Sequence, residues 1–165
     1  MTLTKAELIA CLQDEIRILV HLCEKVQPPM LDCRPTPKQR SLLELLQYLT
    51  VMGPVLVSSI KAGKFLIDDW NTHETAAKAM DFDAVVVSLT SQSAFYAEAV
   101  GTITDEELRE EIDWFATRMT RGRSLIASVL SGHAAYRMQV FLYLKSCGLE
   151  ELNTMNLWAG VGALR

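Results

Sequence analysis

Hydrophobic positions in this chain recur at helical spacing almost from end to end. Leu8, Leu12, Ile16, Leu19, Cys23 and Val26 fall at steps of three and four residues, on one stripe of a first amphipathic helix. Thr4 followed by Glu7 has the pattern of a capping box that opens this helix, and Pro28–Pro29 close it. Pro28 to Pro37 reads as a loop. Thr36–Pro37 reads as an N-cap and first helical residue, where proline's missing N–H costs nothing. The second helix carries Leu42, Leu45, Leu49, Met52, Leu56 and Ile60 on one face; Pro54 predicts a kink inside it and Gly63 its end. From Phe65 to Asn71 the periodicity lapses, so Ile67–Asp68–Asp69–Trp70 reads as a connection before a short helix over Thr72 to Ala79.

Asp81 or Asp83 caps a third long helix, with Phe82, Val86, Leu89, Ser93, Tyr96 and Val100 turned inward. Val85–Val86–Val87 is strand-like in composition, but its neighbours keep helical steps. Thr104 with Glu107 forms another capping box, opening a helix over Asp105 to Met119. The run Thr120 to Cys147 predicts the last long helix. Its stripe is Leu125, Val129, Gly132, Tyr136, Val140, Tyr143 and Cys147, and Gly148 stands at its C-cap. No internal repeat or Gly/Ser-rich linker divides the chain. The pattern predicts one all-α domain over residues 1–148: a four-helix bundle, up-down with at least one longer crossover connection. The apolar tail, residues 149–165 with Trp158, is expected to pack on the bundle or on a partner chain.

Composition narrows the function classes. With 165 residues, 50% hydrophobic and 22% charged, the chain supports a core and is neither disordered nor low-complexity. Its net charge of -4 lacks the basic excess of a nucleic-acid binder. No signal-peptide pattern opens the sequence, and the charge-free stretch Leu45 to Ile60 is interrupted by Gln47, Thr50, Gly53, Pro54, Ser58 and Ser59. A cytoplasmic protein without a membrane span is expected. Cys11, Cys23, Cys33 and Cys147 form no C-x-x-C pair and read as free thiols in a reducing compartment, with Cys33 the exposed one.

Local motifs for chemistry are sparse. His21, His73 and His133 are scattered, with no second histidine at i+3 or i+4. Acidic runs near residues 105–111 fit a helix start, and Asp68–Asp69–Trp70 fits a turn beside a pocket mouth. Arg118, Arg121 and Arg123 read as a solvated helix junction. There is no G-x-S-x-G elbow, P-loop or G-x-G-x-x-G motif.

Two segments carry a resemblance. Glu44-Leu45-Leu46-Gln47-Tyr48-Leu49 resembles the E-L-L-x-H-L stretch of the DinB/YfiT-like superfamily. Tyr136-Arg137-Met138-Gln139-Val140, followed by Leu142, Tyr143, Leu144, Lys145 and Gly148, resembles its H-R-x-Q segment. The helical layout from Lys5 to Gly148 fits as well. The resemblance implies a helix bundle with a divalent-metal site (Zn, Ni or Mn) in one end of the core. One histidine comes from the second helix and an H-x-x-x-H pair from the last, where i and i+4 share a face. Some relatives are thiol S-transferases or isomerases that activate a small thiol on the metal.

Here Tyr48, Gly132 and Tyr136 occupy the three histidine positions, and His133 is one residue off, turned by roughly 100°. A π-bulge near Gly132 is one way to bring it inward. Neutral phenols ligate zinc or nickel poorly, and glycine not at all, so the metal site is expected to be dismantled and no cofactor retained. Tyr48, Gly132, His133, Tyr136 and Gln139 then become candidates for a polar cluster that lines a small-molecule pocket or completes the core. The expected function is a metal-site-less binding or interaction protein, homodimeric by family habit and linked to stress by the family's name. The alternative is a metal-dependent thiol S-transferase or hydrolase around His133 with Asp69 or another carboxylate. A further option is metal-free acid–base chemistry by Tyr48, Tyr136 and His133.

Overall fold

The computed structural model describes residues 3–162. Helix α1 (Lys5–Cys23) starts with the expected reciprocal cap: Thr4 Oγ1 accepts from the Glu7 N–H, and the Glu7 carboxylate accepts from the Thr4 N–H at 2.8 Å. A single 3₁₀ turn, Pro28–Met30, interrupts the loop that follows. Helix α2 (Leu42–Ala62) begins later than Thr36–Pro37. Its cap is Ser41 with Glu44, again reciprocal, and Thr36 instead accepts the Gln39 N–H in a turn. The shift has a local cause, because the Leu42 and Leu43 N–H groups are taken by the loop carbonyls of Cys33 and Leu31. Gly63, at φ 72°, supplies the left-handed C-cap. Over an 18-residue window α2 has mean hydropathy 1.4, long and apolar enough by that measure to cross a membrane, unlike the interrupted stretch Leu45 to Ile60 read from the sequence. The burial of 72% of that window in the protein's own core accounts for its composition.

Helix α3 (Ile67–Lys78) includes the segment expected as a connection. Its pattern is faint because little of it is buried: Ala77 and Trp70 touch Val51 and Val55 of α2, while Ile67 is exposed. Asp81 caps α4 (Phe82–Gly101) through the Ala84 N–H, and Val85, Leu89, Gln92, Tyr96 and Val100 face inward. Thr104 and Glu107 do form a capping box, but α5 is only Asp105–Arg109. A hairpin of β1 (Glu111–Trp114) and β2 (Thr117–Thr120) replaces the rest of the expected helix, with Ile112 opposite Met119. Ile112 and Trp114 alternate into the core. The two turn residues, Phe115 and Ala116, have φ 46° and 63°, the positive pair that a tight two-residue turn needs. Arg118 pairs with Glu111 at 2.8 Å and Arg121 with Glu110, so two of the three arginines brace the hairpin.

The last long helix runs through α6 (Arg121–Ser124), a π segment (Leu125–Leu130) and α7 (Ser131–Ser146). Helices α1, α2, α4 and α7 pack round one core of leucine, isoleucine and valine side chains. Beyond Gly148, α8 (Thr154–Trp158) lies against α1, burying Leu152, Asn156 and Leu157. Arg137 of α7 holds this arrangement together. Its guanidinium binds the Glu15 carboxylate through two nitrogens, at 2.7 and 3.1 Å, and also donates to the Leu157 carbonyl.

Cys33 and Cys147 are joined by a disulfide, Cα atoms 6.6 Å apart, which corrects the expectation of free thiols. Loop and helix end converge there although the cysteines are far apart in sequence, so spacing carried no hint of it. Cys11 and Cys23 remain free, and burial pushes the Cys23 thiol up to about 12. The cysteine argument for a reducing compartment therefore does not extend to Cys33 and Cys147.

Candidate functional site

The site begins with Pro54 in the middle of α2. Proline has no N–H to give the carbonyl of residue i−4, so the Thr50 C=O loses its helical partner. Gln92 of α4 answers this gap: its Nε2 donates to the Leu49 carbonyl at 2.9 Å and to the Thr50 carbonyl at 3.3 Å. Those two bonds orient the amide and turn Oε1 toward Tyr96, whose O–H donates to it at 3.0 Å. A phenol has one proton, already used. The 2.6 Å contact between Tyr96 Oη and His133 Nε2 is therefore assigned with the imidazole N–H as donor. Gly53 makes room for this chain, since a Cβ there would overlap the Tyr96 hydroxyl oxygen and lie 2.6 Å from His133 Nε2.

His133 reaches this position through the π segment. On an α-helix a step of four residues overshoots one turn by roughly 40°. The wider π turn absorbs that drift. The buried face accordingly runs Leu125, Val129, His133, Arg137 rather than through Gly132 and Tyr136. Burial lowers the His133 pKa to about 4 and raises that of Tyr96, so both are neutral at pH 7.

The folded His133 thus resists protonation that the unfolded chain accepts near pH 6.5. Stability from this residue is complete above pH 6.5 and is lost as pH falls from there toward 4. The loss amounts to about 3 kcal/mol over that interval. Urea unfolding of the native chain and of His133→Gln, compared at pH 7 and pH 4, checks this. The native chain should lose that much more than the variant, and equal losses would refute the assignment.

The tyrosines lie elsewhere. Tyr48 of α2 and Tyr136 of α7 meet with ring centroids 5.0 Å apart and hydroxyl oxygens 3.4 Å apart, both half-buried. Gly132 opens no space beside them, because the Met52 sulfur sits 3.2 Å from where its Cβ would be. Gln139 donates to the Tyr143 hydroxyl at 3.2 Å, which in turn donates to the Arg40 carbonyl at 3.1 Å. The five candidates therefore divide into a tyrosine pair, a buried His133–Tyr96–Gln92 chain, a filled glycine position and a strut that fixes the loop at Arg40.

A cleft of about 450 Å³ opens beside Tyr48, lined by Arg40, Glu44, Tyr48, Val51, Glu74 and Lys78 among others. The Arg40 guanidinium lies over the Tyr48 ring, 4.2 Å from its centroid. Burial, then the bond to Tyr136, raises the Tyr48 pKa, so its hydroxyl stays protonated. Glu44 receives Arg34 at 2.7 and 2.9 Å, and this guanidinium above all holds its carboxyl down at about 2. Asp69 is exposed and lines a separate cleft of about 300 Å³ with His73, Ser88 and Gln92. No three His, Cys, Asp or Glu side chains gather as metal ligands among the described residues.

Sequence reading had Tyr96 facing inward but missed Gln92 and Gly53. Their signal was present: a glycine beside Pro54, and a glutamine four residues before an inward tyrosine, on a stripe that should be apolar.

No family profile matches the sequence, and no curated protein matches it. Among solved structures, the crystal structure of a DinB-like protein, YjoA, from Bacillus subtilis is similar, with TM-score 0.68 and 18% sequence identity over 89% of this chain and 95% of that one. The fold is DinB-like.

Proposed function

We propose that this chain is a DinB-like helix-bundle protein that binds a small molecule without a metal centre, at the Tyr48–Tyr136 pair and the cleft beside it. One observation carries the reading. The two aromatic residues at histidine positions of the resemblance meet from facing helices and keep their hydroxyls, and one of them, Tyr48, lines an open cleft. The donor chemistry supports it too: two phenols and a glycine replace three imidazoles, and the remaining imidazole donates its Nε2 N–H to Tyr96.

The test combines metal analysis with a ligand screen. Untagged protein dialysed against trace zinc, nickel and manganese should retain none near one equivalent. Ring-labelled tyrosine NMR against a fragment library should give saturable shifts at Tyr48 and Tyr136, weakened in Tyr136→Phe. Stoichiometric metal lost in His133→Ala would instead overturn the metal-free reading and move the search to thiol-transferase and hydrolase assays.

A further inference from the structure

The charges round the Tyr48 cleft are unequally committed. Glu44 is engaged by Arg34, and Glu74 by Lys78 at 3.0 Å. Arg40 stands over Tyr48, and among the described residues its guanidinium has no carboxylate or carbonyl partner. Its backbone is nevertheless fixed, because Tyr143 binds its carbonyl at 3.1 Å. The tyrosine pair adds a second donor. Tyr136 gives its proton to the Tyr48 oxygen, which leaves the Tyr48 O–H, on the wall of the cleft, free to donate. Beneath both donors, Val51 and Ala77 form a buried apolar floor.

A positioned guanidinium, a spare O–H and an apolar floor beside an aromatic ring match a ligand with a charged acceptor at one end and a flat apolar body. We infer that this cleft takes a small organic carboxylate with a planar apolar body, of the chemistry of benzoate. The carboxylate binds Arg40 and the free tyrosine hydroxyl, and the ring lies against Tyr48, Val51 and Ala77. This inference rests on the proposed binding function and names its ligand class.

The probes are benzoate, benzylamine and benzyl alcohol, which share a ring and differ in charge. Each is titrated into full-length protein with ring-labelled tyrosine. Benzoate should move the Tyr48 and Tyr136 signals saturably and bind at least about tenfold tighter than the other two. Arg40→Gln should weaken benzoate by at least about tenfold, while Lys64→Gln, the same charge change beyond the far end of α2, should leave it unaltered. Added salt should weaken benzoate binding but not that of the alcohol. Equal binding of the amine or the alcohol at Tyr48 would overturn the ligand class and leave the site standing. Benzoate affinity unchanged in Arg40→Gln would overturn the assigned contact and with it the inference. If no probe moves Tyr48 or Tyr136, both the inference and the binding reading fail.

Discussion

Gly53→Ala should destabilise the protein by about 4 kcal/mol, the sum of overpacking and buried hydrogen bonds broken. Helix propensity alone argues the opposite sign, since alanine is favoured over glycine inside a helix by about 1 kcal/mol. Geometry decides against propensity. The new methyl would overlap the Tyr96 hydroxyl oxygen and lie 3.1 Å from its Cζ and 2.6 Å from His133 Nε2. Tyr96 is fully buried between α2 and α7, and the atoms behind its ring leave it little retreat. Moving it breaks the bonds to Gln92 and His133 at once, leaving buried polar groups without partners. Urea unfolding at pH 7 measures the change. An alanine variant as stable as the native chain would mean that the buried chain is not held as tightly as its distances indicate.

Arg137→Ala should cost about 3–5 kcal/mol, the range for removing one partner of a buried ion pair. The substitution strands the Glu15 carboxylate, whose side chain is only 13% exposed, and the Leu157 carbonyl that Arg137 also satisfies. The loss should also have a location. With its link to α7 gone, α8 should become sensitive to protease and exchange its amide protons before the rest of the helices. The pair's net worth is a separate quantity. Glu15→Leu with Arg137→Met removes both charges and should recover most of the loss, because no uncompensated charge remains buried. A double variant as unstable as Arg137→Ala would show that the two charges matter for more than each other.

Arg137 also marks where the sequence stopped being readable. As part of a motif it stood out, but its work depends on Glu15 and Leu157, far away in the chain, and no local pattern couples them. Local rules served well where local forces dominate: the caps at Thr4, Asp81 and Thr104, the left-handed Gly63 and the apolar face of α2. They failed at the hairpin, because Phe115–Ala116 lacks the usual Asn-Gly or Asp-Gly turn chemistry and a capping box precedes it. Ring contacts of Phe115 with Trp114 and Phe65, at 4.8 and 5.7 Å, accompany the turn where a glycine would be expected. At the site, Tyr48 and Tyr136 were found through the resemblance. The separation of His133 from them was not, because it depends on the π segment, and its six residues, Leu125–Leu130, carry no proline or glycine to announce a change of pitch.

The Cys33–Cys147 bond, spanning 114 positions, turns the chain into a closed ring with two tails. Helices α2 to α7 make up the ring; α1 is one tail, and α8 lies in the other. Arg137, a member of the ring, grips Glu15 in one tail and Leu157 in the other. The exposed Phe115–Ala116 turn is therefore a place where the backbone can be cut without releasing a fragment. Such a cut opens the ring into two chain segments still joined at Cys33 and Cys147. The tails stay tied to each other through Arg137, and only a reductant lets the halves separate.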